Sequence, residues 1–170
     1  MKSSIKTIMF ITISILFTFF GINSTYAEDS QQVELISKNS KVVLNETLSV
    51  TVQYNSTDNT VPVLGATIHY NTKMLQFDGS SDQYKNGSAG IQVLSEDEVD
   101  TADNDPHTDG VIVIAYQDII GGNWPGVKLP INLINLSFRA NALGQTSINV
   151  LGSSSATFKF EGKGIVIDIE

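Results

Sequence analysis

Between Thr47 and Tyr54 every second residue is apolar: Leu48, Val50, Val52 and Tyr54 alternate with Thr47, Ser49, Thr51 and Gln53. Successive side chains of a strand point to opposite faces, so this spacing makes one face for a core and one for water. A helix would spread the same residues around its whole circumference. Leu64, Ala66, Ile68 and Tyr70 repeat the pattern. Val33 to Ile36, Ile91 to Leu94, Val111 to Tyr116, Leu129 to Phe138, Ser147 to Leu151, Ala156 to Phe160 and Ile165 to Ile169 are further strand candidates, punctuated by Gly, Asn, Asp, Ser and Pro. About nine short strands with turn signals between them predict an all-β chain folded as a β-sandwich.

Two irregularities refine this expectation. Leu129, Ile131 and Leu133 share one parity, whereas Ile134, Leu136, Phe138 and Ala140 share the other. One extra residue near Leu133–Ile134, a β-bulge, reconciles the two sets. Val111, Ile112, Val113 and Ile114 are apolar on both parities. Such a strand is either buried on both faces or carries an outer face that meets a partner.

The N-terminus reads differently. Lys2 and Lys6 precede an apolar run from Thr7 to Ile22, Gly21 breaks it, and Thr25 and Ala27 stand at the −3 and −1 positions of a cleavage site. This order predicts a secretory signal peptide over residues 1–27. The mature domain is then 28–170, placed outside the cytoplasm: secreted, periplasmic or at the cell surface. No membrane span is expected in it. Removing Lys2 and Lys6 leaves eight basic against eighteen acidic residues, a net charge of −10, which makes nucleic acid a poor partner. The chain has no cysteine, so neither disulfide stapling nor thiol chemistry is available.

The stretch Ser95 to Asp109 is strongly acidic and reads as a long exposed loop between strands. Clustered carboxylates repel unless something neutralises them, and calcium takes six to eight oxygen ligands. Asp100, Asp103, Asp105 and Asp109 are therefore the candidate ligands of a Ca2+ ion; no cofactor is otherwise required. The spacing is not that of an EF-hand, because His107 stands where a third oxygen ligand belongs. His69 falls at the polar parity of its strand. No nucleophile elbow, zinc-protease motif or phosphate-binding glycine loop is present, so the chain reads as non-catalytic. Trp124 precedes a Pro125-Gly126 turn, where it either anchors a ligand or folds back on the sandwich edge.

Val43 to Asp78 resembles the opening half of a cohesin module. The resemblance is carried by Leu64-Gly65-Ala66-Thr67-Ile68-His69-Tyr70 and by Asn71-Thr72-Lys73-Met74-Leu75-Gln76-Phe77, in which Asn71 turns the chain and Leu75 and Phe77 return to the core. Gly110 to Gln117 and Leu133 to Val150 are similar to the second half. The resemblance implies a nine-stranded jelly-roll sandwich, related in fold to cellulose-binding modules, and a non-catalytic module that recognises a dockerin-like protein through one sheet face. Thr67, His69, Ile112, Ile114, Tyr116 and Trp124 are the candidate partner-binding residues. A carbohydrate-binding module with a polysaccharide ligand and a structural or adhesive surface protein are the alternative readings.

Overall fold

The computed structural model describes residues 29–56, 63–99, 102–118, 124–152 and 158–170. Residues 1–27, where a signal peptide is expected, and Asp100 lie outside the described residues. The strands are β1 (Asp29–Ser37), β2 (Lys41–Val42), β3 (Thr47–Ser56), β4 (Val63–Tyr70), β5 (Leu75–Ser81), β6 (Ser88–Ser95), β7 (Gly110–Gln117), β8 (Ile131–Ala140), β9 (Gly144–Gly152), β10 (Phe158–Lys163) and β11 (Ile165–Ile169). A 3-10 turn, Glu96–Glu98, follows β6.

They form two sheets, one ordered β10-β1-β3-β8-β5 and the other β2-β11-β9-β4-β7-β6. The expected β-sandwich is thus present, with eleven strands among the described residues rather than nine. The two extra strands escape a periodicity reading for simple reasons. β2 has only two residues, and β5 becomes polar after Phe77, reading Asp-Gly-Ser-Ser. The last two strands belong to different sheets. Gly164 lies between them, where an added Cβ would stand 2.5 Å from the Ile148 carbonyl oxygen, so a side chain there would push apart the corner at which the chain changes sheet.

The inward parities meet in one core. Val50, Val52 and Tyr54 of β3, Leu64 and Ile68 of β4, Leu136 and Phe138 of β8, and Ile148 of β9 are all fully buried. Each such apolar side chain contributes ~1.5–3 kcal/mol relative to exposure. The predicted bulge is found: Val52 pairs with Ile134 and Gln53 with Asn132, leaving Leu133 without a partner on β3. Leu133 and Ile134 are consequently both buried.

The bulge frees the Leu133 carbonyl, which accepts the Tyr84 amide at 2.7 Å and the Tyr116 hydroxyl at 2.8 Å. Burial, with a smaller contribution from Tyr84, pushes the Tyr116 phenol up to about 12, so it remains a donor at any physiological pH. Because Tyr84 still serves the same carbonyl, Tyr116→Phe is expected to cost only the net value of one hydrogen bond, ~0.5–1.5 kcal/mol. Denaturant unfolding of the variant measures this.

Candidate functional site

The register of β4 decides which side chains share a face. Leu64 pairs with Tyr116, Ala66 with Ile114 and Ile68 with Ile112. Directly opposed residues of an antiparallel pair point to the same side, and Leu64, Ala66 and Ile68 point into the core. Ile112, Ile114 and Tyr116 are therefore core residues, at most 1 % exposed, and cannot line an exposed binding face. The outward set is its complement: Thr67 opposite Val113 and His69 opposite Val111. The sequence expectation combined residues from the two faces of one sheet.

Trp124 is likewise corrected. It folds back on the sandwich, buried, with its ring centroid 5.3 Å from that of Tyr54 and 5.5 Å from that of Tyr116. Its indole N–H donates to the Asn86 carbonyl at 2.8 Å. Gly87, at φ +76°, makes room for it, since a Cβ there would lie 2.8 Å from the indole ring.

His69 departs from expectation in another way. It projects outward, yet it is completely buried, as is Val111 beside it. What covers them is the acidic segment. Instead of standing free in solvent, this segment lies back over the outer face of β4, β7 and β9. Its start and end continue the ladder, Glu96 N–H donating to Asp109 O at 3.1 Å and Asp109 N–H to Tyr70 O at 3.1 Å. Between them, Asp103 accepts the Asn149 side-chain amide at 2.7 Å and Asp105 accepts the Ser147 hydroxyl at 2.7 Å. Asp103 also receives the Asp105 amide and the Thr108 hydroxyl, and Thr108 is itself buried. The Ser147 hydroxyl and then the His107 amide hold the Asp105 carboxyl below its ordinary value. Ser147 and Asn149 were not singled out by sequence reasoning; the signal available was two polar residues at one parity of β9.

Asp103, Asp105 and Asp109, the described members of the expected calcium set, each accept hydrogen bonds from neutral donors and face different partners. Asp109 turns away to Thr72, accepting its amide at 2.7 Å and its hydroxyl at 2.9 Å. Asp105 faces Ser147. Among the described residues, the group whose ligand atoms converge is His69, Glu96 and Asp103, all within 4.8 Å of one another; Asp103 alone is shared with the expected set.

Beyond the loop, the same face carries half-buried Thr67, Val113, Ala115 and Leu151, an apolar strip beside polar neighbours. The outer face of the other sheet is a hydrogen-bonded polar lattice: Thr51 to Asn135 at 2.7 Å, Gln53 to Asn132 at 2.9 Å, Asn55 to Glu34 at 2.9 Å and Arg139 to Asp78 at 2.9 Å.

The sequence matches no family model and no curated protein. Solved structures do match. A cohesin module from a Clostridium perfringens family 33 glycoside hydrolase has a TM-score of 0.52 at 10% identity, over 84% of this chain and 98% of that one. The fold is that of a cohesin module. The sixth cohesin of Acetivibrio cellulolyticus scaffoldin B, solved in complex with a dockerin, has a TM-score of 0.53 at 12% identity, over 83% of this chain and 99% of that one. A type I cohesin from Pseudobacteroides cellulosolvens has a TM-score of 0.53 at 11% identity, over 82% and 92%. The likeness covers 82–84% of the chain in these three comparisons.

Proposed function

We propose that the chain is an exported, non-catalytic protein-binding module of cohesin type, whose partner is a dockerin-like domain. The observation that supports this most strongly is the fold itself, shared with cohesins over 82–84% of the chain, one of which was solved with a dockerin bound. No helix among the described residues is long and apolar enough to cross a membrane. The binding surface is the outer face of β9, β4, β7 and β6, where Thr67 sits between Leu151 and Val113 in a largely apolar strip with Ala115, and Gln92 lies on its polar margin, the usual anatomy of a protein interface. His69 lies buried beneath the loop.

The carbohydrate-binding reading fares less well. Glycan sites present aromatic rings to solvent, and the exposed large apolar residues of the described chain are all aliphatic. The open groove of about 620 Å3 beside Ile36, Val43 and Leu48 also has no aromatic in its lining.

Val113→Asp places a charge in the middle of the proposed surface while leaving the core untouched. It is expected to keep its fold by circular dichroism and to weaken partner binding by ~2 kcal/mol or more, the scale of a central interface residue. Calorimetry against a panel of calcium-loaded dockerins measures it. Binding of no dockerin by the wild-type protein, or equal binding by the variant, removes the reading.

A further inference from the structure

His69, Glu96 and Asp103 come from a strand, from the turn that follows β6 and from the covering loop, and they meet on the outer face of the sheet. His69 is fully buried, and its Nδ1 has no hydrogen-bond partner. Its other ring nitrogen, Nε2, lies 3.0 Å from the Thr67 hydroxyl. The Thr67 hydroxyl can accept from Nε2–H or donate to Nε2; in the Nε2–H tautomer Nδ1 presents a bare lone pair toward Glu96. A buried lone pair facing anions is a costly arrangement, and an unsatisfied buried polar atom in a native fold calls for an explanation. The Glu96 Oε1 atom is 3.7 Å from Nδ1, too far for a hydrogen bond. It is close to the ~3.4 Å that separates two ligands of a tetrahedral ion bound at about 2.1 Å.

We propose that His69 Nδ1, Glu96 and Asp103 bind a divalent transition-metal ion of the zinc type. One imidazole nitrogen and two carboxylates suit such an ion, whereas calcium asks for six to eight oxygens. The surroundings are those of a held site. Thr67 fixes the imidazole through its far nitrogen, as supporting residues around metal-bound histidines do. Asp103 is oriented by Asn149, Thr108 and the Asp105 amide. These three donors leave part of its capacity of about four lone pairs for a cation. Three protein ligands leave the fourth position for water. Metal binding would fasten the acidic segment to the sheet from within, beside the proposed partner surface, and it does not depend on what that partner is.

The test uses the purified, untagged protein and Zn2+ or Ca2+ alone, by calorimetry near neutral pH, with imidazole nitrogen NMR as a second readout. The chain has only two histidines, so the imidazole signals are readily assigned. One Zn2+ per chain is expected, with Ca2+ far weaker. On Zn2+ addition the His69 Nδ1 signal moves to the metal-bound position while Nε2 keeps its proton. Glu96→Gln, isosteric and at a half-buried position, is expected to lose about tenfold or more in Zn2+ affinity, a loss on the scale that even supporting residues show. His107→Ala is expected to lose none. Should Asp103→Asn disturb the loop, Glu96→Gln remains the deciding variant. Zn2+ affinity unchanged in Glu96→Gln, affinity lost in His107→Ala, or a proton on His69 Nδ1 that Zn2+ does not displace would each overturn the assignment.

Discussion

Ile114→Asp is expected to leave the chain unfolded at room temperature. Ile114 is 1 % exposed and points into the space between the sheets, opposite Ala66 on β4 and Ile91 on β6. Removing a large aliphatic side chain from such a site costs ~2–5 kcal/mol. The new carboxylate meets no cation there, and an unpaired buried charge adds several kcal/mol more. Together these losses are comparable to the whole stability of a domain, ~5–15 kcal/mol. Circular dichroism and a thermal melt decide the matter. Ile114→Asp and Val113→Asp make an informative pair, since they put the same charge at adjacent positions of β7 on opposite faces. A folded Ile114→Asp protein would mean that the parity of β7, and with it the whole placement of the outer surface, is wrong.

Phe138→Ala is expected to cost ~3–5 kcal/mol. Phe138 is fully buried near the C-terminal end of β8 and stands between two other rings, with centroids 5.2 Å from Tyr70 and 5.7 Å from Phe77. Tyr70 ends β4 of one sheet and Phe77 lies in β5 of the other, so the aromatic trio joins the two layers. Truncation removes the central ring and leaves a cavity that backbone hydrogen bonding on both sides of β8 keeps from collapsing. Denaturant melts of wild type and variant, compared at unchanged m-value, give the difference. A loss under ~1 kcal/mol would be inconsistent with a close-packed core at this position.

These two residues also show where sequence reading succeeds and where it stops. Phe138 belongs to a run with one clear apolar parity, and the break in that run at Leu133–Ile134 marks a real bulge, because a bulge shifts parity by one and leaves a visible trace. Ile114 lies in a strand apolar on both sides, so periodicity carries no information about direction. What fixes it is the pairing of Leu64, Ala66 and Ile68 with Tyr116, Ile114 and Ile112, a contact between distant segments. The burial of His69 was hidden for a similar reason. Its parity, correctly read as outward, says nothing about a loop from 27 or more residues downstream lying across it. The acidic stretch looked like a solvated loop because composition reports charge and not donors. Ser147 and Asn149, which hold it down, sit more than 40 residues away from Asp105 and Asp103. The signal peptide expected over residues 1–27 rests on composition and order alone, and those residues lie outside the described structure.

The proposed partner surface is the outer face of β4, β7 and β9. Hydrogen–deuterium exchange of the protein with and without a bound dockerin locates it. Protection is expected in β4, β7 and β9 and in the acidic segment 95–109, with the lattice of β1, β3 and β8 unchanged. Protection concentrated on β1, β3 and β8 instead, with β4 and β7 unaffected, would contradict it.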